Sequence, residues 1–255
     1  MALKASLILP CLAALIFGGC PKPTGPRYVP DDRRSAGLPD SPAELVKLAD
    51  RLMKKRTIPA IDRARAALKK ALPKHQQPIE VRWRQAKACF LMAYRLKNRD
   101  QRVSVAQRGI AHARAAIALD AKRVEPHYYL ALNIARIAEA RSKLTLIKKM
   151  VAAAERAREI DATYDRAGPL VFLGKVYLSA PAWPVSVGNS EKAVKLLEKA
   201  VKIAPDPLSR LFLGQAYKEE DEDEKARHQL KLALEGPLED RWRREAEKTL
   251  RDLKQ

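Results

Sequence analysis

The segment Ala226-Arg-His-Gln-Leu230-Lys-Leu-Ala233 places a small residue first, a Leu four positions later and an Ala three positions after that. The same spacing of small and apolar residues occurs at Ala64-Leu68-Ala71, Gly109-Ala113-Ala116, Met150-Ala154-Ala157 and Ala193-Leu197-Ala200, with Met150 in place of the small residue. Residues spaced in this way lie on one face of a helix. The sequence therefore predicts five related helices, each with a face that lets a neighbouring helix approach closely.

Prolines typical of helix starts lie between these five helices. They are Pro42, Pro78, Pro126, Pro169 and Pro207, at intervals of 36, 48, 43 and 38 residues. Proline suits the first turn of a helix, where its missing amide hydrogen would have no partner. Such intervals are those of solenoids built from helix pairs. Since no stretch after the first forty residues alternates as a strand does, we predict an all-α solenoid of about five helix pairs, and one more helix over 238–255 as a carboxy-terminal cap.

The last two repeats resemble the tetratricopeptide (TPR) signature. The matching residues are Leu213-Gly214-x-x-Tyr217 with Ala226, Leu230, Ala233 and Pro237, and Leu173-Gly174-x-x-Tyr177 with Ala193, Leu197, Ala200 and Pro205. The resemblance implies a right-handed superhelix of helix pairs. From the Gly to the last Ala the final repeat has 19 residues, whereas the two preceding repeats have 26 over the same interval. We therefore predict that seven inserted residues separate the two helices in each of those repeats.

A second resemblance covers residues 44 to 233 and concerns a narrower group. It rests on Ala49-Asp50, Arg56-Thr57, Ala64, Tyr128, Asn133-Ile134-Ala135-Arg136, Ala167-Gly168-Pro169, Leu173-Gly174-x-x-Tyr177, Pro181, Gly188-Asn189 and Lys192-Ala193. These stretches look like the lipid-anchored periplasmic TPR proteins that include the T component of TRAP (tripartite ATP-independent periplasmic) transporters. The resemblance implies association with a periplasmic solute-binding protein and, in some members, a pore for an apolar ligand.

The amino terminus resembles a lipoprotein signal. Lys4 is followed by 15 uncharged and mostly apolar residues, too few to span a bilayer comfortably, and the run ends in Phe17-Gly18-Gly19-Cys20. This ending resembles the lipobox, in which cleavage precedes a cysteine that then carries the lipid. We therefore expect a signal peptide over 1–19 and a lipidated Cys20. Residues 20–40 hold five prolines and are predicted to be a flexible tether, which leaves 41–255 as the TPR-like domain.

The chain is strongly basic, with 50 Lys and Arg against 30 Asp and Glu. The export signal and the low aromatic content argue against nucleic acid. Anionic headgroups, envelope polymers or an acidic partner surface are the alternative targets, and a merely solvated helical surface also explains the charge. The predicted location is the cell envelope, facing the periplasm, and Pro21 after the lipidated cysteine favours the outer membrane.

Catalytic and metal-binding motifs are absent from the sequence. It contains no Gly-rich phosphate loop, no His-Glu-x-x-His, no Gly-x-Ser-x-Gly and no Cys-x-x-Cys. The four histidines have no ligand spacing, and Cys89 lies in an apolar helix as a core residue does. We therefore expect no enzyme activity, no metal and no cofactor.

Two places are candidate binding sites. The TPR resemblance implies a groove lined by the first helix of each pair. We map it onto Tyr128, Leu132 and Ala135, with Arg136 one position beyond, then Val171, Lys175 and Leu178, then Leu211, Gln215 and Lys218. An apolar strip with a few basic residues fits an amphipathic helix or an acidic peptide. The alternative is that much of this face packs against neighbouring helices in a tight coil. The loop from Ala180 to Gly188 holds Pro181, Trp183 and Pro184, and it either caps the core of its repeat or forms the lid of a pocket.

These features predict a protein that binds other molecules and does not catalyse a reaction. The leading hypothesis is a lipid-anchored protein-interaction or accessory subunit, resembling the TRAP T component. One alternative is a carrier with a small apolar ligand under the Trp183 loop, and another is a scaffold for pilus, secretion or outer-membrane assembly.

Overall fold

The structure is a computed structural model that describes residues 37–253. The predicted signal peptide, Cys20 and most of the predicted tether lie outside the described residues. Eleven α-helices and two 3-10 turns, Leu72–Lys74 and Leu144–Leu146, make up the secondary structure of the described part. The helices are α1 (Pro42–Lys54), α2 (Ile58–Ala71), α3 (Pro78–Arg95), α4 (Arg99–Leu119), α5 (Val124–Arg141), α6 (Ile147–Ile160), α7 (Tyr164–Ser179), α8 (Ser190–Ile203), α9 (Pro207–Glu219), α10 (Asp223–Glu235) and α11 (Asp240–Asp252).

The described residues form two compact units within the predicted TPR-like region. The amino-terminal unit, 37–160, contains α1 to α6, and the carboxy-terminal unit, 161–253, contains α7 to α11. Within each unit successive helices pack on one another as pairs, and α11 packs on α10. The prediction of five helix pairs and a final single helix in an all-α, TPR-like fold is therefore confirmed for the described residues.

The small residues that recur at equal spacing in the second helices, here called the small-residue ladder, lie where the two helices of a repeat meet. Ala64, Ala113, Ala154, Ala193 and Ala226 have no exposed surface, and neither do the Leu and Ala residues that follow them at the same spacing in α2, α8 and α10. Burial of these faces excludes water along the whole length of the contact. The sequence is thus periodic because the same helix-to-helix contact recurs in every helix pair.

Three glycines mark the closest helix contacts. A Cβ on Gly174 would lie 2.5 Å from Leu197 Cγ, and a Cβ on Gly214 would lie 2.7 Å from Leu230 Cγ. These are corresponding positions in two successive repeats. In the amino-terminal unit a Cβ on Gly109 would lie 2.2 Å from the side-chain oxygen of Asn133. A larger residue at these positions would clash with the facing side chain, so the side chain or the helices would have to move.

The seven extra residues are accommodated differently in the two longer repeats. Between α7 and α8 they form a loop over residues 180–189, as predicted. Between α5 and α6 the connection is only 142–146, and most of the extra residues lengthen α5 to 18 residues, against 13 in α9. The prediction of an inserted loop is therefore wrong for α5 and α6, because the extra sequence is a good helix former and continues the helix.

Several helix starts follow the predicted prolines. Pro42, Pro78 and Pro207 are the first residues of α1, α3 and α9, while α5 begins two residues before its proline. Asp206 caps α9 by accepting a hydrogen bond from the backbone nitrogen of Leu208 at 2.9 Å. Ser41 has the extended backbone of an N-cap, but its side chain makes no capping hydrogen bond. Asp165, Arg166 and Ala167 at the start of α7 are left-handed, so the right-handed helix begins next to Pro169.

The folded part begins earlier than residue 41. Leu38 is buried in the core of the amino-terminal unit, with Leu45, Ile61, Leu68 and Met92 among its members. Lys70 fixes this segment by donating hydrogen bonds to Leu38 O at 3.2 Å and to Asp40 Oδ1 at 2.7 Å. Leu38 and Asp40, which lie in the stretch predicted as a tether, are therefore attached to the amino-terminal unit, Leu38 through its apolar side chain.

Gly174→Ala tests the close contact of α7 with α8. We expect a loss of about 1–3 kcal/mol in the free energy of unfolding from overpacking against Leu197, although alanine is the better helix former by about 1 kcal/mol. Urea denaturation followed by circular dichroism measures the loss. In a Leu197→Ala background the clash is absent, and Gly174→Ala should then stabilise the protein. Stabilisation by Gly174→Ala in the wild-type background as well would contradict the contact.

Candidate functional site: first-helix faces and the Trp183 loop

The predicted groove residues of the carboxy-terminal unit meet in one polar cluster. Lys175 of α7 donates a hydrogen bond to Gln215 Oε1 of α9 at 3.1 Å. Gln215 Nε2 in turn donates to Glu245 Oε1 of α11 at 2.8 Å, and the Lys175 Nζ lies 3.6 Å from the same carboxylate oxygen. The structure therefore brings Lys175 and Gln215, two of the predicted groove residues, into contact and adds Glu245 as a third member.

Lys175 is enclosed by this cluster. Its exposed fraction is 7%, and its ammonium lies 4.5 Å from the centre of the Phe212 ring. Phe212 packs edge-on against Trp242, with the ring centres 5.3 Å apart. Burial lowers the pKa of Lys175, and the Glu245 carboxylate opposes this shift. A lysine in such surroundings ties three helices together and is not presented to an acidic peptide.

Lys218 is also paired within the unit. Its ammonium lies 3.4 Å from Asp252 Oδ2 at the end of α11. The final helix was predicted as a carboxy-terminal cap, and its Glu245 and Asp252 also supply carboxylates to both lysines of the predicted groove. Of the remaining predicted positions, Val171 and Leu178 are half-buried, whereas Leu211 is fully buried.

The predicted groove residues of the amino-terminal unit are buried as well. Tyr128, Leu132 and Arg136 of α5 each have less than a tenth of their surface exposed. Arg136 pairs with Glu139 at 3.1 Å, and Arg102 of α4 reaches the same carboxyl group at 3.4 Å. Burial lowers the pKa of Arg136 to about 10, a shift that the Glu139 carboxylate opposes. This group holds α4 and α5 in register rather than forming an open groove.

An aromatic row on α3 and α5 was missed from the sequence. Trp83 stacks on Tyr129, with ring centres 6.2 Å apart and planes 6° from parallel. Phe90 and Tyr94 follow on α3, both half-buried and both within 6 Å of the Arg136 guanidinium. The spacing of the three α3 aromatics places them on one helix face. That signal was present, but the first two repeats matched the TPR pattern only in their second helices, so α3 could not be aligned.

The Trp183 loop, residues 180–189, holds its tryptophan in solvent. Trp183 is 84% exposed and Val185 is 68% exposed, so this loop does not cap the core of its repeat. Its base is fixed by hydrogen bonds from Gly188 N to Pro181 O at 2.8 Å and from Asn189 N to Tyr177 O at 2.9 Å. Pro184 beside the tryptophan is exposed too. The loop is therefore an apolar tip on a base that is fixed to its helix pair.

Metal sites and membrane spans are the other features that bear on function. Within 37–253 no group of three or more His, Cys, Asp or Glu side chains is arranged to hold a metal ion. Among the helices of the same range, none combines the length and the apolar character needed to cross a bilayer. Cys89 is a free thiol buried in the core, and burial raises its pKa.

Comparison with a family model gives one match. Residues 45–170 match the family described as "Regulator of microtubule dynamics protein 1-3". This range covers most of the amino-terminal unit and the beginning of α7, slightly less than half of the chain. No curated protein matches the sequence.

Comparison with solved structures gives the fold. A thermophilic TPR protein of Thermus thermophilus, TTC0263, has a TM-score of 0.62 and 16% identity, over 82% of this chain and 99% of that one. The MamA protein has a TM-score of 0.48 and 22% identity, over 76% of this chain and 90% of that one. At such identities the first likeness shows a TPR-like fold.

Exchanging the members of the Lys175 cluster tests its role. Glu245→Gln leaves a buried ammonium without its counter-charge, so we expect a loss of about 1–3 kcal/mol in the free energy of unfolding. Lys175→Met with Glu245→Gln removes both charges and keeps the volume, so this double variant should lose less stability than Glu245→Gln alone. Urea denaturation distinguishes the two variants, with Lys248→Met on the exposed face of α11 as the control. A double variant that is less stable than Glu245→Gln would contradict the pairing of Lys175 with Glu245.

Proposed function

We propose that this chain is a lipid-anchored TPR protein of the cell envelope that binds a partner protein as an accessory subunit. The observation that carries the proposal is the Trp183 loop, which holds an exposed tryptophan and an exposed valine on a base fixed by backbone hydrogen bonds. Tryptophan is enriched among the residues that dominate binding energy at protein interfaces. A tip that is already ordered before binding loses little conformational entropy when the partner arrives.

The first-helix faces were expected to bind a partner partly through basic residues, but in the structure they offer mainly apolar contacts. Lys175, Lys218 and Arg136 are neutralised by carboxylates of the same unit, so an acidic peptide would have to displace these bonds. The half-buried Phe90 and Tyr94 of α3 remain as apolar contacts. We therefore infer that a partner is recognised mainly through apolar and aromatic contacts.

The anchoring part of the proposal rests on the sequence. The lipobox-like Phe17-Gly18-Gly19-Cys20 favours an envelope lipoprotein facing the periplasm, with Pro21 favouring the outer membrane. The narrower hypothesis of a TRAP-type uptake accessory, with a periplasmic solute-binding protein as partner, depends on the resemblance of 44 to 233 alone. The role named in the matching family's description is not carried over, because that match covers less than half of the chain.

Two alternative functions use the same loop to bind a different kind of molecule. A carrier would place an apolar ligand beneath the Trp183 loop, whose tryptophan is open to solvent in this structure. A scaffold for envelope assembly would use the exposed tip to hold a different envelope protein. Both predict a bound species that contacts residue 183, so the nature of that species distinguishes them.

Cys20→Ser tests the anchor. We expect this variant to lose radiolabelled palmitate during metabolic labelling and to leave the membrane fraction, because the thiol that receives the lipid is absent. Cys11→Ser is the matched control, since it removes the other cysteine of the apolar run and should keep both label and membrane attachment. Retention of the label in Cys20→Ser would contradict the lipoprotein assignment.

A photocrosslinking amino acid at position 183 tests the contact surface in intact cells. We expect crosslinks to an envelope protein from position 183 and none from Leu119, which is also more than half exposed but lies at the end of α4. Trp183→Ala should weaken the purified complex about tenfold or more, and Leu119→Ala should not change its affinity. Crosslinks at both positions alike, or affinity unchanged by Trp183→Ala, would overturn the assignment. Recovery of a small apolar molecule in place of a protein would support the carrier.

A further inference from the structure

The positive charge of this protein is concentrated in its amino-terminal unit. Residues 37–160 contain 28 Lys and Arg against 11 Asp and Glu, whereas residues 161–255 contain 17 of each kind. Both units are built from packed helix pairs, so the architecture does not require this difference. An excess of one sign gives the amino-terminal unit a positive surface potential, which attracts anionic molecules.

Two second helices of this unit, α2 and α4, form a layer over its first helices. The first helices lie side by side, because α3 packs on both α1 and α5. α2 packs on α1 and α3, and α4 packs on α3 and α5. In a TPR-like fold these second helices lie on the same side of the first layer. Their faces that point away from it are therefore open to solvent.

The open faces of α2 and α4 carry four exposed basic side chains, here called the basic face. They are Arg63 and Lys69 of α2 and Arg108 and Arg114 of α4. Small residues lie between them, with Ala66 on α2 half-buried and Ala111 and Ala118 on α4 exposed. Long basic side chains that stand among alanines project furthest from the helices, so they are the first groups to meet a flat surface.

Carboxylates are scarce on the same two helices. Asp62 is the single carboxylate of α2, and it is only 5% exposed. Asp100 is the single carboxylate of α4, and it lies in the first turn, where it pairs with Arg141 of α5 at 2.7 Å. The second helices of the carboxy-terminal unit carry both signs, as in the Glu191–Lys195 pair on α8 at 2.6 Å. α2 and α4 thus present a surface of one sign.

The chain enters the amino-terminal unit beside the basic face. Gly37 is the first described residue, and a Cβ on it would lie 4.0 Å from Arg63 Nη2. Lys70 of α2 holds the next residues through two hydrogen bonds, one of them to Asp40 Oδ1 at 2.7 Å. The predicted tether therefore joins the fold at α2. A flexible tether of this length has an end-to-end distance of roughly 25 Å, so a lipid on Cys20 would keep α2 near the bilayer.

We propose that the basic face docks on the surface of an anionic phospholipid bilayer. Lys and Arg side chains are attracted to anionic headgroups, and the attraction falls off within a Debye length of about 8 Å at physiological ionic strength. Only a face that is held close to the bilayer gains from this attraction, and the entry of the chain at α2 places the basic face there. The proposal rests on the lipid anchor of the proposed function, because the anchor brings a bilayer within reach.

Cosedimentation with vesicles tests the docking. The protein used is the mature chain, residues 20–255, with Cys20→Ser, so that neither a lipid nor the apolar run of the signal peptide contributes to binding. At about 50 mM NaCl we expect vesicles of phosphatidylglycerol to bind it at least about tenfold more tightly than vesicles of phosphatidylcholine. The preference should disappear at about 1 M NaCl, where the Debye length is about 3 Å. Equal binding to both vesicles at low salt would overturn the proposal.

A variant without the four charges tests the face itself. Its substitutions are Arg63→Gln, Lys69→Gln, Arg108→Gln and Arg114→Gln. Binding to phosphatidylglycerol vesicles should weaken at least about tenfold, since each Lys or Arg near the membrane adds its own attraction. A second variant has Arg63→Lys, Arg108→Lys and Arg114→Lys, which keep the charge, and its binding should change by less than about twofold. A loss of binding in this second variant as large as in the first would contradict docking by charge.

The matched control removes four charges from exposed positions of the carboxy-terminal unit. Its substitutions are Lys199→Gln, Lys202→Gln, Lys231→Gln and Lys248→Gln. The control has the same net charge as the glutamine variant of the basic face, and its vesicle binding should change by less than about threefold. Circular dichroism checks that all variants remain folded. An equal loss in the control would assign binding to the net charge of the whole chain and overturn the basic face.

Polyglutamate distinguishes a bilayer from an acidic protein surface. If the glutamine variant of the basic face loses polyglutamate binding but keeps its affinity for phosphatidylglycerol vesicles, the face serves an acidic protein and the membrane proposal is wrong. The vesicle assay contains no lipidated protein, so its failure leaves the lipid anchor to the labelling experiment with Cys20→Ser. Conversely, a failed labelling experiment removes the anchor, whereas vesicle binding that depends on the four charges still establishes the basic face.

Discussion

The close approach of two helices within each repeat is the constraint on which this structure depends. Gly174 lies against Leu197 and Gly214 against Leu230, at corresponding places in successive repeats. Because the glycine has no Cβ, the leucine of the facing helix fills the space beside it. The small-residue ladder on that facing helix is then fully buried. The long runs of Ala in the second helices have the same cause. A domain whose core contains many alanines gains its burial from short distances between helices rather than from large side chains.

Polar groups between neighbouring helices add specificity to these apolar contacts. The carboxy-terminal unit uses Lys175, Gln215 and Glu245, and the amino-terminal unit places Arg102 beside the Arg136–Glu139 pair. Buried charges of this kind contribute little net stability, because the cost of desolvation offsets the attraction between the charges. However, a movement of the helices that left one of these charges unpaired would cost free energy. The consequence for function is that these cations are used within the fold, and recognition is left to other surfaces.

The two units combine one architecture with different surfaces. Residues 37–160 of the amino-terminal unit contain 28 Lys and Arg against 11 Asp and Glu, whereas residues 161–255 contain 17 of each kind. The carboxy-terminal unit carries the exposed Trp183. Outward-facing positions of a helix repeat have little influence on packing, so they are free to differ in charge from one repeat to the next. The proposed partner contact at Trp183 follows from this freedom.

The number of helices, the spacing of the repeats and the burial of the small-residue ladder were determined by the sequence alone, because each depends on side chains a few residues apart on one helix. Tertiary structure decided which distant side chains meet. Glu245 lies 70 positions after Lys175 in the chain. No local pattern contains such a contact, since it depends on how consecutive helices cross. For the same reason the sequence left open whether Lys175 and Arg136 line a groove or pack against neighbouring helices, and only the tertiary structure showed that both are enclosed.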